Sequence, residues 1–218
     1  EPLLLLWGAM WNSLFVSVLA AVVAAIFSIP MATLVVRYPG RLSQFLERIS
    51  FTGYALPGIV VSLALVYFGA NFARPIYQTV WLLVFAYVVL FFPAALGATR
   101  TSLLQVSPRL EEAARGLGRR PIQVLHSITV PLVSPGVLMG AALVFLITMK
   151  ELPATLILGP LDFRTLATAV WSASSEGFFA QAAAPALALI MISSVPVAFL
   201  IIREGVSARS NSGNDVSE

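Results

Sequence analysis

The chain of 218 residues has no cysteine, one histidine, one lysine, and only 11% charged residues. Without cysteine there is no disulfide framework, no thiolate nucleophile and no thiolate-ligated metal site. The single lysine, Lys150, follows Met149, so no glycine-rich loop ending in Gly-Lys is available to cradle nucleotide phosphates. Any ATP is therefore bound and hydrolysed elsewhere. The single histidine, His126, excludes the paired histidines of an H-E-x-x-H zinc site, and it reads as a surface or interface residue. Neither the clustered intramembrane polar groups of an enzyme nor the intramembrane acids or repeats of many secondary transporters are prominent. No basic leader ahead of an apolar core precedes Leu3, and the first residue is Glu1, so the expectation is a piece of a longer protein with no visible signal peptide.

What remains is hydrocarbon: 59% of the residues are hydrophobic, while an ordinary soluble domain carries about 25% charge. Charge-free apolar runs cover 12–36, 49–73, 75–99, 127–149 and 177–202, each longer than the roughly 20 residues that cross a bilayer as helix. They lack the two-residue alternation of a barrel strand. The expectation is an all-α membrane protein with five transmembrane helices, a transmembrane domain over 1–203 and a polar tail over 204–218 that frays from the last span.

The basic residues set the orientation. Arg37, Arg41, Arg48, Arg100, Arg109, Arg115, Arg119, Arg120, Arg203 and Arg209 fall on one side of five spans, and Arg74, Lys150 and Arg164 on the other. The positive-inside rule puts the start outside and the C-terminus in the cytoplasm. The net charge of +3 reflects this bias and not a nucleic-acid-binding surface. Pro30, Pro57, Pro93, Pro135, Pro185 and Pro196 lie in or near the spans, which predicts kinked, packed helices. The small residues of "AALGAT" and "GAAL" suit close helix approach.

One segment departs from this pattern. Between two apolar runs, 107–131 carries Glu111, Glu112, Arg115, Arg119, Arg120 and His126. Ser107 and Pro108 make a good helix start, with a hydroxyl able to cap and a proline at the first position. Leu110, Ala113, Ala114 and Leu117 gather into an apolar stripe with the glutamates and Arg115 pointing elsewhere. Gly116 and Gly118 end the helix, and Pro121 opens a second one through Ile122, Leu125 and Ile128 towards Pro131. Two short helices at an angle form a knob that either docks into a partner or lies on anionic lipid.

The order Glu112-Ala113-Ala114, Gly118 after three residues, then Ile128 and Pro131 after nine more, resembles the EAA loop of the permease subunits of bacterial ABC importers, with Val130 in place of the pattern's leucine. The resemblance implies the type I importer permease fold and a coupling helix docked in a groove of an ATP-binding subunit. Glu111, Glu112, Ala113, Ala114, Arg115, Gly118, Pro121, Ile128 and Pro131 would form that contact. It also implies a non-catalytic permease in the bacterial inner membrane, with ATP and Mg held by a partner ATPase dimer, a second permease half beside it, and an external solute-binding protein.

A second resemblance concerns cargo. "TMKELPATLILGP" at 148–160, with 53–68, 103–118 and 163–187, is similar to the iron(III) importer permeases of that superfamily, in particular to the second half of the fused ones. Relatives moving thiamine, polyamines, molybdate or sulfate share the coupling loop, and a proton-coupled secondary transporter is the alternative of another class. Lys150 and Glu151 sit where the fourth span is expected to meet the external side. They are either interface markers, with the lysine snorkelling, or the start of a substrate pathway with Pro153 and Thr155, in which a carboxylate meets a hard cation. No metal site is assigned.

Overall fold

The computed structural model describes residues 2–212, with side chains described over 4–198. Helix α1 (Pro2–Arg37) is followed by α2 (Arg41–Ala55), α3 (Gly58–Phe72), a tight turn at Arg74–Ile76, and α4 (Val80–Gln105). Then come α5 (Pro108–Gly116), α6 (Pro121–Val124), a wide π-type turn at Leu125–Thr129, α7 (Val130–Met149), α8 (Pro153–Leu158), α9 (Leu166–Ser175) and α10 (Phe179–Ser212). No strand occurs among the described residues.

Four helices are long and apolar enough to cross a bilayer: α1, α4, the continuous run Pro121–Met149, and α10. The fifth expected span is not one helix. It is broken at Leu56–Pro57 into α2 and α3, which meet at 108°. Leu56 is extended (φ −96°, ψ 129°), the conformation that a following proline imposes, and Pro57 has no N–H to continue the ladder. The run expected over 75–99 also shifts. Pro75 and the left-handed Gln78 (φ 55°) hold the chain in a turn, so α4 starts at Val80 and reaches Gln105. Arg100 is accommodated inside it by an ion pair with Glu47, 3.2 Å away.

α4 is the centre of the bundle. In its most apolar stretch 61% of residues are buried, against 11% in α10, which leaves α10 open to lipid or to a neighbouring subunit. α1 and α7 flank α4 through small residues, with Ala20, Ala24, Ala86 and Ala95 fully enclosed. At Gly140 a β-carbon would come within 2.9 Å of the Ala95 Cα, so the glycine sets how near α7 lies to α4. The "AALGAT" and "GAAL" segments meet there. Ser28 and Thr99 share a hydroxyl hydrogen bond of 2.8 Å between α1 and α4. Pro30, Pro93, Pro135, Pro185 and Pro196 are carried inside helices, while Pro57 marks the break.

At the other end of the chain, α10 continues past the end of the apolar run at Ile202 to Ser212, through the first part of the stretch expected to fray. The rest of the expected tail, 213–218, lies outside the described residues.

Candidate functional site: an exposed loop helix and a broken pair of spans

α5 begins at Pro108, but Ser107 does not cap it with its side chain. Instead the Ser107 carbonyl accepts from Leu110 N at 3.2 Å. The helix stops as expected: Gly118 N donates to Arg115 O at 2.9 Å and Arg119 N to Ala114 O at 3.2 Å. Gly118 itself takes φ +83° with open space around its α-carbon. Its need for glycine is conformational, since other residues are strained there.

The faces of α5 differ from the expected pattern. The inward face is Glu111 with Ala114, whereas Leu110, Ala113 and Leu117 stand outward. Leu117 is 86% exposed and Ile122, just beyond the turn, 73%. Glu112, Arg115, Arg119, Arg120 and Pro121 surround this apolar line and are exposed as well, while Ile128 is half-buried. Glu111 therefore does not reach the outer rim. Its Oε1 accepts from Arg37 Nε at 3.1 Å and from Thr129 Oγ1 at 3.2 Å, because an acid on the inward face of a short helix must find partners there. α6 is not a separate second helix either. It runs through the π-type turn into α7 as one span, and the missing N–H of Pro131 leaves that turn free to widen. Arg119 Nη1 donates to Ser127 Oγ at 2.7 Å and steadies it.

The second feature is the place where two broken helix pairs meet. Lys150 caps α7 and is exposed. Glu151 is half-buried, and its Oε1 accepts from Ala154 N at 3.1 Å at the start of α8. Thr155 Oγ1 donates to Glu151 O at 2.6 Å and pairs with the buried Tyr87 hydroxyl at 2.6 Å. A β-carbon on Gly58 would come within 3.2 Å of Glu151 Oε1 and 3.7 Å of Leu90 Cδ1. Leu90 lies ten residues into α4, a descent of about 15 Å at the usual helical rise. Glu151 thus sits beside Gly58, near the level of Leu90 in α4. Pro153 opens α8, which returns outward beside α3.

The two breaks, Leu56–Pro57 and Lys150–Leu152, therefore meet at one level. Above them, towards the start of α1, a cavity of about 1040 Å³ opens between α8, α9 and α10, and Thr155, Asp162, Arg164, Trp171, Glu176 and Gln181 are in its lining. Its rim is tied to α1 by Asn12 Nδ2 donating to Arg164 O at 2.9 Å and Leu166 N donating to Ser13 Oγ at 2.7 Å. Of these six, sequence reasoning assigned only Thr155 to a substrate pathway, and read Arg164 as a topology marker. Among the described residues no group of three or more histidine or acidic side chains is placed to hold a metal ion.

Residues 24–209 match the family described as binding-protein-dependent transport system inner membrane component. The chain belongs to this family. Its similarity to the Fe(3+)-transport system permease protein FbpB 2 of Haemophilus influenzae is 39% identity over 173 residues, 79% of this chain and 34% of that protein. The chain thus spans about a third of the length of that relative. It is 32% identical to the molybdenum transport system permease protein ModB of Escherichia coli, over 77% of this chain and 83% of ModB. The 2-aminoethylphosphonate permease protein PhnV of Salmonella typhimurium, itself described as putative, is 28% identical over 86% of this chain and 72% of its own length. A chain of the MetNI methionine ABC transporter, solved in inward-facing conformations, superposes with a TM-score of 0.77 over 94% of this chain and 98% of that one, at 18% identity. The fold of this family member is therefore that of an ABC importer permease.

Proposed function

We propose that the chain is the non-catalytic membrane half of an ABC importer for iron(III), driven by a partner ATPase dimer and fed by an external solute-binding protein. The observation that carries the reading is α5: an apolar line of Leu110, Ala113 and Leu117, exposed and ringed by charge, on a polar loop between two apolar helices. A lipid-lying loop would turn such a line towards the bilayer. Here the EAA pattern assigns it to an ATPase groove, where an apolar stripe with a charged rim makes a hot spot inside a water-excluding ring. ATP and Mg belong to that partner. Docking of a cytoplasmic ATPase on α5 also fixes the orientation, with the start of α1 outside, in agreement with the arginine split. The open face of α10 is left for a second permease half.

The cargo reading rests on the iron permease relative and on Glu151. A carboxylate at the meeting of two broken spans favours a cation over an oxyanion such as molybdate. One carboxylate gives a brief contact, which suits passage better than retention. The cavity over α8 and α9 serves as the external vestibule. Co-purification of the intact complex with its cognate binding protein, followed by metal analysis of the latter, tests this reading: bound iron is expected, and bound molybdate or phosphonate would reassign the cargo while keeping the machine.

A further inference from the structure

Arg37 is the last residue of α1, and as a membrane-flanking arginine it needs no special explanation from sequence. Its surroundings are not those of a flanking arginine. The side chain is 10% exposed and points inward, with Nε donating to Glu111 Oε1 at 3.1 Å and Nη2 donating to Val106 O at 2.8 Å and Leu103 O at 3.4 Å. Both carbonyls belong to the C-terminal end of α4, where the last carbonyls lack the usual helical donors, and Leu103 O also accepts from Val106 N at 3.2 Å. Glu111 is 7% exposed at its side chain and also accepts from Thr129 in the wide turn below α7. One guanidinium thus joins α1, α4, α5 and, through the shared carboxylate, α7. The neighbouring Tyr38 hydroxyl accepts from Arg115 Nη2 at 3.2 Å, a second tie from the end of α1 to α5.

A buried ion pair adds little net stability compared with apolar residues of similar size, and a fixed register is its best-attested use. Only the Glu111 and Ala114 side of α5 faces the bundle, so this node carries most of the directional contact between α5 and the spans. We propose that Arg37 and Glu111 are positioning residues of the transport cycle: the pair links α5 rigidly to the inner end of α1, so that displacement of α5 by the ATPase moves α1. The proposal rests on the permease reading above and adds to it a path for the motion. It also gives Glu111 a role distinct from Glu112, which stands on the outer face.

The test uses the complete reconstituted importer and the Arg37→Met/Glu111→Leu double variant, which removes both charges without leaving either buried alone. The absence of native cysteine permits spin labels at Pro39→Cys and Arg109→Cys, both exposed in the native chain. In the parent, the label separation is expected to stay the same with and without trapped nucleotide. In the double variant it changes between the two states, ATPase association persists, and ATP consumed per ion transported rises roughly tenfold, within the range usual for coupling between sites. Arg37→Lys provides a second variant, because a lysine keeps the charge but cannot bridge the acid and both carbonyls; a smaller rise in the same ratio is expected. A constant label separation with normal ATP use per ion in an assembled variant overturns the link and leaves the permease reading standing. Absence of ATPase binding in the parent complex overturns both.

Discussion

Ala113→Arg is expected to leave the permease inserted and folded while stripping it of its ATPase. Ala113 is exposed at the centre of the outer line of α5, so the larger side chain meets no atom of this chain's interior. In the docked complex it would force either a clash or a desolvated charge at a close contact, a cost of about 2–5 kcal/mol for groups of this kind. Association should weaken by at least roughly thirtyfold, and uptake should fall to background. Ala114→Arg is the contrast. Ala114 faces inward and is only 6% exposed, so that variant should fail in assembly before docking is in question. Pull-down of the ATPase with the purified variants decides the matter, and normal association with normal uptake in Ala113→Arg would remove α5 as the docking element.

The second large effect is expected at Glu151. Glutamine keeps an oxygen to accept from Ala154 N and the same volume against Gly58, so the start of α8 and the contact between the broken spans survive. Only the charge is lost. Iron uptake should drop by about tenfold, the equivalent of ~1.4 kcal/mol, with complex assembly, ATPase association and binding-protein docking unchanged. Glu151→Asp keeps the charge and should be milder. An unchanged rate in Glu151→Gln would show that the carboxylate serves only as the cap of α8.

Much of this arrangement was legible in the residues, and the part that was not has physical causes. Long charge-free runs specified membrane helices, and the start at Pro108 and the left-handed stop at Gly118 followed from local backbone chemistry. The break at Leu56–Pro57 was also written locally, as X-Pro followed by Gly58, yet the apolar count across it masked the signal. The surroundings of Glu151 depend on Gly58 and Leu90, which lie far from it in sequence. In α5 the expected stripe splits: Leu110, Ala113 and Leu117 stay on the outer face, whereas Ala114 turns inward with Glu111, whose partners lie far away in sequence. Arg37 meets Glu111 across 74 residues of sequence. No local pattern announces such a pair, and among many arginines with an ordinary topological role this one carried no distinguishing mark.

The claim that ATP drives this chain's transport is tested most directly in sealed vesicles containing the full complex, with iron-loaded binding protein on the outer side and ATP trapped inside. Iron should accumulate only when ATP and loaded binding protein are both present, and vanadate should stop it, whereas collapsing the proton gradient should leave it unchanged. Accumulation that persists without ATP and ends when the proton gradient is collapsed would contradict the account and assign the chain to proton-coupled transport.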